Sequence, residues 1–196
     1  MSFFDALFGR TRIKKPKLDA LFALVTAQAE AKDTLGVRLM SRAALLLKPQ
    51  EGSRYDDAQG HALGVMDLVA RDHGLEISTE DDAYGFRWVK IEGHQLEDVI
   101  TAAHAGADTL AQDDFGEAIV ALVVPARDGT RPFYLVYSYK RSAFYAFVPQ
   151  GEGKTRDNAE EIRLSDILEK VLPMEQDPAH WYALWDLPLA PAGATE

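Results

Sequence analysis

The segment from residue 118 to 148 constrains the fold most, because it contains three apolar runs joined by very short connections. Residues 118–124 are apolar on both faces, which is typical of a strand in the centre of a sheet. Residues 133–139 and 143–148 are rich in aromatic and β-branched side chains, which favour strands. Connections this short require neighbouring strands to run antiparallel, so the segment predicts a three-stranded meander.

Helical and hairpin patterns elsewhere in the chain predict an α+β fold. Apolar residues recur at helical spacing after Ser53, in a run that we expect to end at Gly74, and again between residues 96 and 110. Residues 75–91 read as a β-hairpin between these two helices. Helices that alternate with hairpins favour a mainly antiparallel sheet with the helices packed largely on one face.

The predicted domain has a short segment at each end. A single α+β domain is expected over residues 18–187, preceded by an amphipathic basic segment, residues 1–17. Residues 188–196 are rich in proline and alanine, and we expect them to form a flexible tail.

Composition excludes several classes of protein. The chain has 196 residues, a net charge of −10 and no cysteine, so disulfides, thiolate metal sites and cysteine nucleophiles are excluded. The absence of cysteine also fits a reducing, cytoplasmic compartment. The negative charge argues against nucleic-acid binding. Because phosphate-binding loops and metal-ligand spacings are also missing, we expect no cofactor and no metal.

The N-terminal segment differs in charge from the rest of the chain. Residues 1–17 hold five basic residues and one acidic residue, a net charge of +4, which leaves −14 for the remainder. Apolar residues at helical spacing before a run of cations are typical of a segment that contacts an anionic membrane weakly and reversibly. An alternative is that the phenylalanines dock onto their own domain. The candidate membrane contacts are Phe3, Phe4, Leu7, Phe8, Arg10, Arg12, Lys14, Lys15 and Lys17.

Two segments carry the candidate binding residues. In residues 136–149 aromatic side chains surround Lys140 and Arg141; exposed rings would form a partner-binding surface, whereas alternate rings could instead face the core. The densest polar cluster follows at residues 156–161, where Asp157 and Asn158 also suit a helix start. The candidate partner-binding residues are Tyr137, Tyr139, Lys140, Arg141, Tyr145, Arg156, Asp157 and Asn158.

An enzymatic alternative uses the same polar cluster. Arg156, Asp157, Asn158 and Glu160, close to Lys140 and Tyr139, could form the site of a small hydrolase or ligand-binding enzyme. That hypothesis requires the groups to meet in one concave pocket with perturbed pKa values.

Several segments, in their order along the chain, resemble the PspAB family of PspA-associated proteins. They are FFDALFGR, LDALFAL, YGFRWV, VYSYKRSAFYAFVP, RDNAEEI and LPMEQDPAHWYALWDLP. The resemblance implies an accessory protein of the phage-shock envelope-stress system, whose partner PspA is a coiled-coil peripheral membrane protein. It implies no catalytic residues. We therefore expect a non-enzymatic adaptor in the cytoplasm, at the inner face of the cytoplasmic membrane, that binds a PspA-like coiled coil.

Overall fold

The structure, a computed structural model, describes residues 18–151 and 153–193. Within them the helices are α1 (Ala23–Leu35), α2 (Ser53–His73), α3 (Leu96–Gln112) and α4 (Asn158–Leu168). Three short 3-10 helices lie at Leu18–Phe22, Gly116–Ala118 and Pro178–His180. The strands are β1 (Val37–Leu39), β2 (Arg42–Leu47), β3 (Glu76–Asp81), β4 (Arg87–Glu92), β5 (Ile119–Asp128), β6 (Arg131–Ser138), β7 (Ala143–Phe147), β8 (Pro149–Gln150) and β9 (Thr155–Arg156).

Strands β1 to β7 form one antiparallel sheet. Its order is β3-β4-β2-β5-β6-β7, and β1 pairs with the part of β5 beyond the end of β2. The predicted meander is confirmed as β5, β6 and β7, and the predicted hairpin is β3 and β4. The predicted α+β class is therefore confirmed.

Helices α1, α2 and α3 pack on one face of this sheet, where the larger apolar core lies. The predicted stop of α2 at Gly74 is confirmed: this residue has a φ of +66° and its N–H bonds to the carbonyl of Ala70, as helix-ending glycines do. Helix α3 approaches α2 closely at Gly106, where an added Cβ would lie 2.3 Å from the sulfur of Met66. Only glycine fits at this point without a shift of the methionine.

The second face of the sheet is covered by an irregular C-terminal segment, residues 181–192, which we call the strap. The ring centroid of Trp185 lies 5.3 Å from that of Phe147 on β7. The Tyr134 hydroxyl on β6 donates to the carbonyl of Leu189 at 2.8 Å. Arg42 on β2 donates to the carbonyls of residues 190 and 191. The strap therefore crosses the sheet from β7 to β2.

The described part of the predicted tail, residues 188–193, includes residues of the strap that pack on the sheet. Leu189 and Ala192 are buried, and the hydrogen bonds from Tyr134 and Arg42 fix the backbone between them. The proline-rich composition indicates only that no helix or strand forms here, because irregular chain can still bury apolar side chains. The remainder of the predicted tail, residues 194–196, lies outside the described residues.

Candidate functional site

The three tyrosines of the aromatic block are buried. Tyr137 and Tyr139 lie in the core beneath the helices, with ring centroids 5.1 Å apart. Tyr145 lies on the second face, and its hydroxyl donates to the carbonyl of Tyr182 in the strap at 3.0 Å. Burial raises the pKa of both Tyr139 and Tyr145, so these phenols stay neutral.

The prediction that these tyrosines contact a partner is therefore wrong for the folded domain. Alternate residues of a strand face opposite sides of a sheet. Here one face is covered by helices and the other by the strap, so the aromatic rings that point to either face are buried.

Lys140 and Arg141, the two cations of this block, are exposed. They occupy the turn between β6 and β7, where the following Ser142 has a φ of +54°. Nε of Arg141 lies 4.0 Å from a carboxylate oxygen of Glu175. The turn thus presents one cation, Lys140, for which no ion pair is found within the described residues, and one that is loosely paired.

A groove of about 420 Å³ lies between the start of α4 and the 3-10 helix Pro178–His180. We call it the α4 groove. Its lining combines a cation, a carboxylate and an amide with apolar side chains. The lining residues are Arg156, Asn158, Glu161, Ile162, Pro178, Ala179 and Trp181. The structure thus brings two predicted site residues, Arg156 and Asn158, into one concave surface.

A buried ion pair shapes the base of the α4 groove. Nη2 of Arg156 lies 2.7 Å from Oε2 of Glu161, and Nε lies 2.9 Å from Oε1 of the same carboxylate. The Glu161 carboxylate also accepts the backbone N–H of Val148, and it is only 1% exposed. Nη1 of Arg156 donates to the carbonyl of Trp181, and its guanidinium lies over the ring of Phe147. One arginine therefore connects α4, β7 and the beginning of the strap.

The other acidic residues of the cluster have structural contacts. Asp157 is the N-cap of α4, and its carboxylate accepts the N–H of Glu160 at 3.0 Å. This confirms the reading of Asp157 as a helix cap. Glu160 is paired with Arg163 on the same helix at 2.6 Å, and hydrogen bonds from that arginine lower the pKa of Glu160.

The groups of the enzymatic alternative do not converge. Tyr139 is enclosed in the core, Lys140 lies on the β6–β7 turn, and neither lines the α4 groove. The pKa of Glu160 is lowered rather than raised towards neutrality, whereas a general acid needs a raised value.

A second concave surface, not found by the sequence analysis, lies between the start of α2 and the end of α3. It has a volume of about 530 Å³ and includes Arg54, Asp57 and Asp114. Nδ1 of His61 lies 2.8 Å from Oδ2 of Asp113 across it. Distant residues meet here because the two helices are antiparallel neighbours, and the local sequence around His61 carries no signal of that pairing.

The candidate membrane contacts, from Phe3 to Lys17, lie outside the described residues. Within residues 18–151 and 153–193, no group of three or more metal-ligating side chains is placed to hold an ion. None of the described helices combines the length and apolar character needed to cross a membrane.

The fold and the groove define a small α+β protein whose sheet is enclosed by helices on one face and by a strap on the other. The chain belongs to the PspA associated protein B family, whose model matches residues 1–189. No curated protein and no solved structure matches the chain.

Proposed function

We propose that the protein is a non-enzymatic adaptor of the phage-shock envelope-stress response that binds a PspA-like coiled-coil protein. The observation that carries this proposal is the match of the PspA-associated family over residues 1–189. The family description names an association, and a chain that matches the family over residues 1–189 is a candidate for the same association.

Two features of the structure support binding rather than catalysis. The polar residues of the densest cluster are engaged in capping and ion pairs, as Asp157 and Glu160 illustrate. The α4 groove instead offers exposed Asn158 and Ile162 beside the fixed guanidinium of Arg156. Arginine and apolar side chains are common in protein–protein interfaces, and a surface that is already ordered binds a partner at a lower entropic cost.

We further propose that residues 1–17 bring the adaptor to the inner face of the cytoplasmic membrane. Five cations near an anionic surface contribute about 1 kcal/mol each, which is enough for weak, reversible contact. The acidic remainder of the chain, with its charge of −14, opposes tighter attachment.

The direct test is a pull-down with the purified PspA-type protein of the same organism. Full-length protein and a form lacking residues 1–17 should both retain the PspA-type protein, since the described domain carries the proposed binding surfaces. Failure of both forms to bind would remove the proposal.

A further inference from the structure

The strap leaves one part of the second sheet face without a covering layer. Its contacts run from β7 through β6 to β2, at Phe147, Tyr134 and Arg42. Strands β4 and β3 continue the sheet beyond β2. On β4 the cover still reaches Trp88, which is buried in one cluster with Leu189 of the strap. The uncovered part of this face therefore consists of β3 and the end of β4 at the exposed Glu92.

The register of β3 and β4 makes this uncovered face acidic. Residues directly opposite each other on antiparallel strands share a face. Glu76 stands opposite Glu92, and Glu80 stands opposite Trp88. Lys90 lies on the same face and is already paired with Glu80 at 3.0 Å. We call the three glutamates, Glu76, Glu80 and Glu92, the acidic strip.

The pair Glu76 and Glu92 is unfavourable as it stands. Like charges directly opposite each other destabilise a sheet. Glu76 and Glu92 are both exposed, and neither has an ion-pair partner in the described part of the chain. Arg42, the residue opposite Glu92 on β2, directs its Nη2 to carbonyls of the strap. A cation supplied from outside would relieve this repulsion.

A buried donor without an acceptor lies on the same face. Trp88 is 3% exposed, and its Nε1 has no hydrogen-bond acceptor among the described residues. Indole N–H groups in protein interiors are usually paired. Trp88 belongs to the apolar cluster against which the half-buried Phe86 and Leu187 pack. Apolar surface therefore adjoins the acidic strip.

We propose that the acidic strip is the docking site for a basic amphipathic α-helix of the PspA-type partner, an inference that rests on the proposed function. The helix lies along β3 and the end of β4 at Glu92, beside the strap. One of its lysines or arginines sits between Glu76 and Glu92, and its apolar side faces Phe86 and Leu187. Strand addition at the free edge of β3 is disfavoured, because the exposed charges of that strand oppose pairing.

Charge reversal tests the inference without weakening the fold. In the variant Glu76→Lys a cation faces Glu92, so the melting temperature should stay equal or rise, while the basic partner helix is repelled. We expect binding to the purified PspA-type protein to weaken about tenfold or more, with a smaller salt dependence than the unmodified protein shows. Glu30→Lys is the matched control, because Glu30 is exposed on α1, on the helix side of the sheet. Reversing this charge far from the proposed interface should change the affinity for the partner by less than about twofold.

The outcomes separate the inference from the proposed function. Equal binding by Glu76→Lys and the unmodified protein would overturn the inference alone, whereas no binding by the unmodified protein would overturn both. Self-association of the free protein that Glu76→Lys abolishes would assign the strip to a second copy instead. Amide-exchange protection of Glu76–Asp81 that disappears on deletion of residues 1–17 would assign it to the protein's own N-terminal segment. Either result would contradict the partner helix.

Discussion

Removal of the Arg156 guanidinium should destabilise the protein far more than an ordinary ion-pair mutation does. In Arg156→Met the carboxylate of Glu161 loses its three short contacts to the guanidinium, at 2.7, 2.8 and 2.9 Å. The side chain of Glu161 is 1% exposed, so its carboxylate is left largely shielded from water without its cation. Breaking a buried pair on one side costs about 3–5 kcal/mol. For a chain of this size that loss corresponds to a fall in melting temperature of about 6–20 °C.

A second arginine supplies the control. Arg163 on α4 is also ion-paired, with Glu160 and Asp128, but its side chain is 45% exposed. Pairs in that environment contribute about 0–1 kcal/mol, so Arg163→Met should change the free energy of unfolding by no more than that. Urea unfolding measured side by side on the two variants compares them directly.

The double variant Arg156→Met with Glu161→Leu isolates the reason for the loss. If the cost comes from a stranded buried charge, then removing the carboxylate as well should restore much of the stability. The N–H of Val148 then loses its acceptor, so recovery should remain incomplete. Equal losses in Arg156→Met and Arg163→Met, or no recovery in the double variant, would refute the argument.

Three further predictions concern other parts of the chain. Gly64→Ala should raise the free energy of unfolding by about 0.5–1 kcal/mol, since an added Cβ there meets nothing within 4 Å. Gly106→Ala should lower the free energy of unfolding, because overpacking costs about 1–3 kcal/mol. Urea denaturation measures both changes. Hydrogen bonds from Arg163 lower the pKa of Glu160 from its ordinary 4.5. The ionised carboxylate therefore stabilises the fold fully above pH 4.5, and this contribution is lost as the pH falls through the lower folded-state pKa. Glu160→Gln should flatten the stability–pH curve in this acidic range. Truncation of residues 188–196 should cost at least about 2 kcal/mol in thermal or urea unfolding, since a buried leucine is lost; an unchanged stability would mean that the tail is flexible after all.

The regular elements could be predicted from the sequence because their signals are local. The period of apolar residues marks α2 and α3, and Gly74 ends α2 where the pattern indicates. The short connections around residues 118–148 impose antiparallel pairing whatever the rest of the chain does. These features depend on neighbours within a few residues.

The burial of the aromatic side chains in residues 136–149 could not be predicted in the same way, because it depends on a segment about 40 residues further along the chain. Tyr145 is enclosed only because the strap crosses β7 and accepts its hydrogen bond at Tyr182. A signal was nevertheless present: residues 133–139 are apolar or aromatic at almost every position, like the strand before them. Such runs are typical of strands buried on both faces.

The acidic strip depends on register. Nothing in the sequence near Glu76 or Glu92 shows that the two face each other, since residues 76 and 92 are brought opposite by the hairpin turn. A shift of one residue would move every side chain of β3 to the other face. Charge patterning along the chain therefore cannot reveal a like-charge pair of this kind.

The two proposed contacts involve charges of opposite sign. The basic segment joins the described chain at the 3-10 helix Leu18–Phe22, which contacts α3 on the helix side of the sheet, whereas the acidic strip lies on the strap side. An anionic leaflet would attract residues 1–17 and repel the glutamates of the strip, so we expect membrane and partner to be bound by different parts of the chain. Deletion of residues 1–17 should therefore abolish flotation with anionic vesicles and spare partner binding. Glu76→Lys should weaken partner binding about tenfold or more and leave flotation unchanged. Loss of both activities in either variant would show that membrane and partner share one surface.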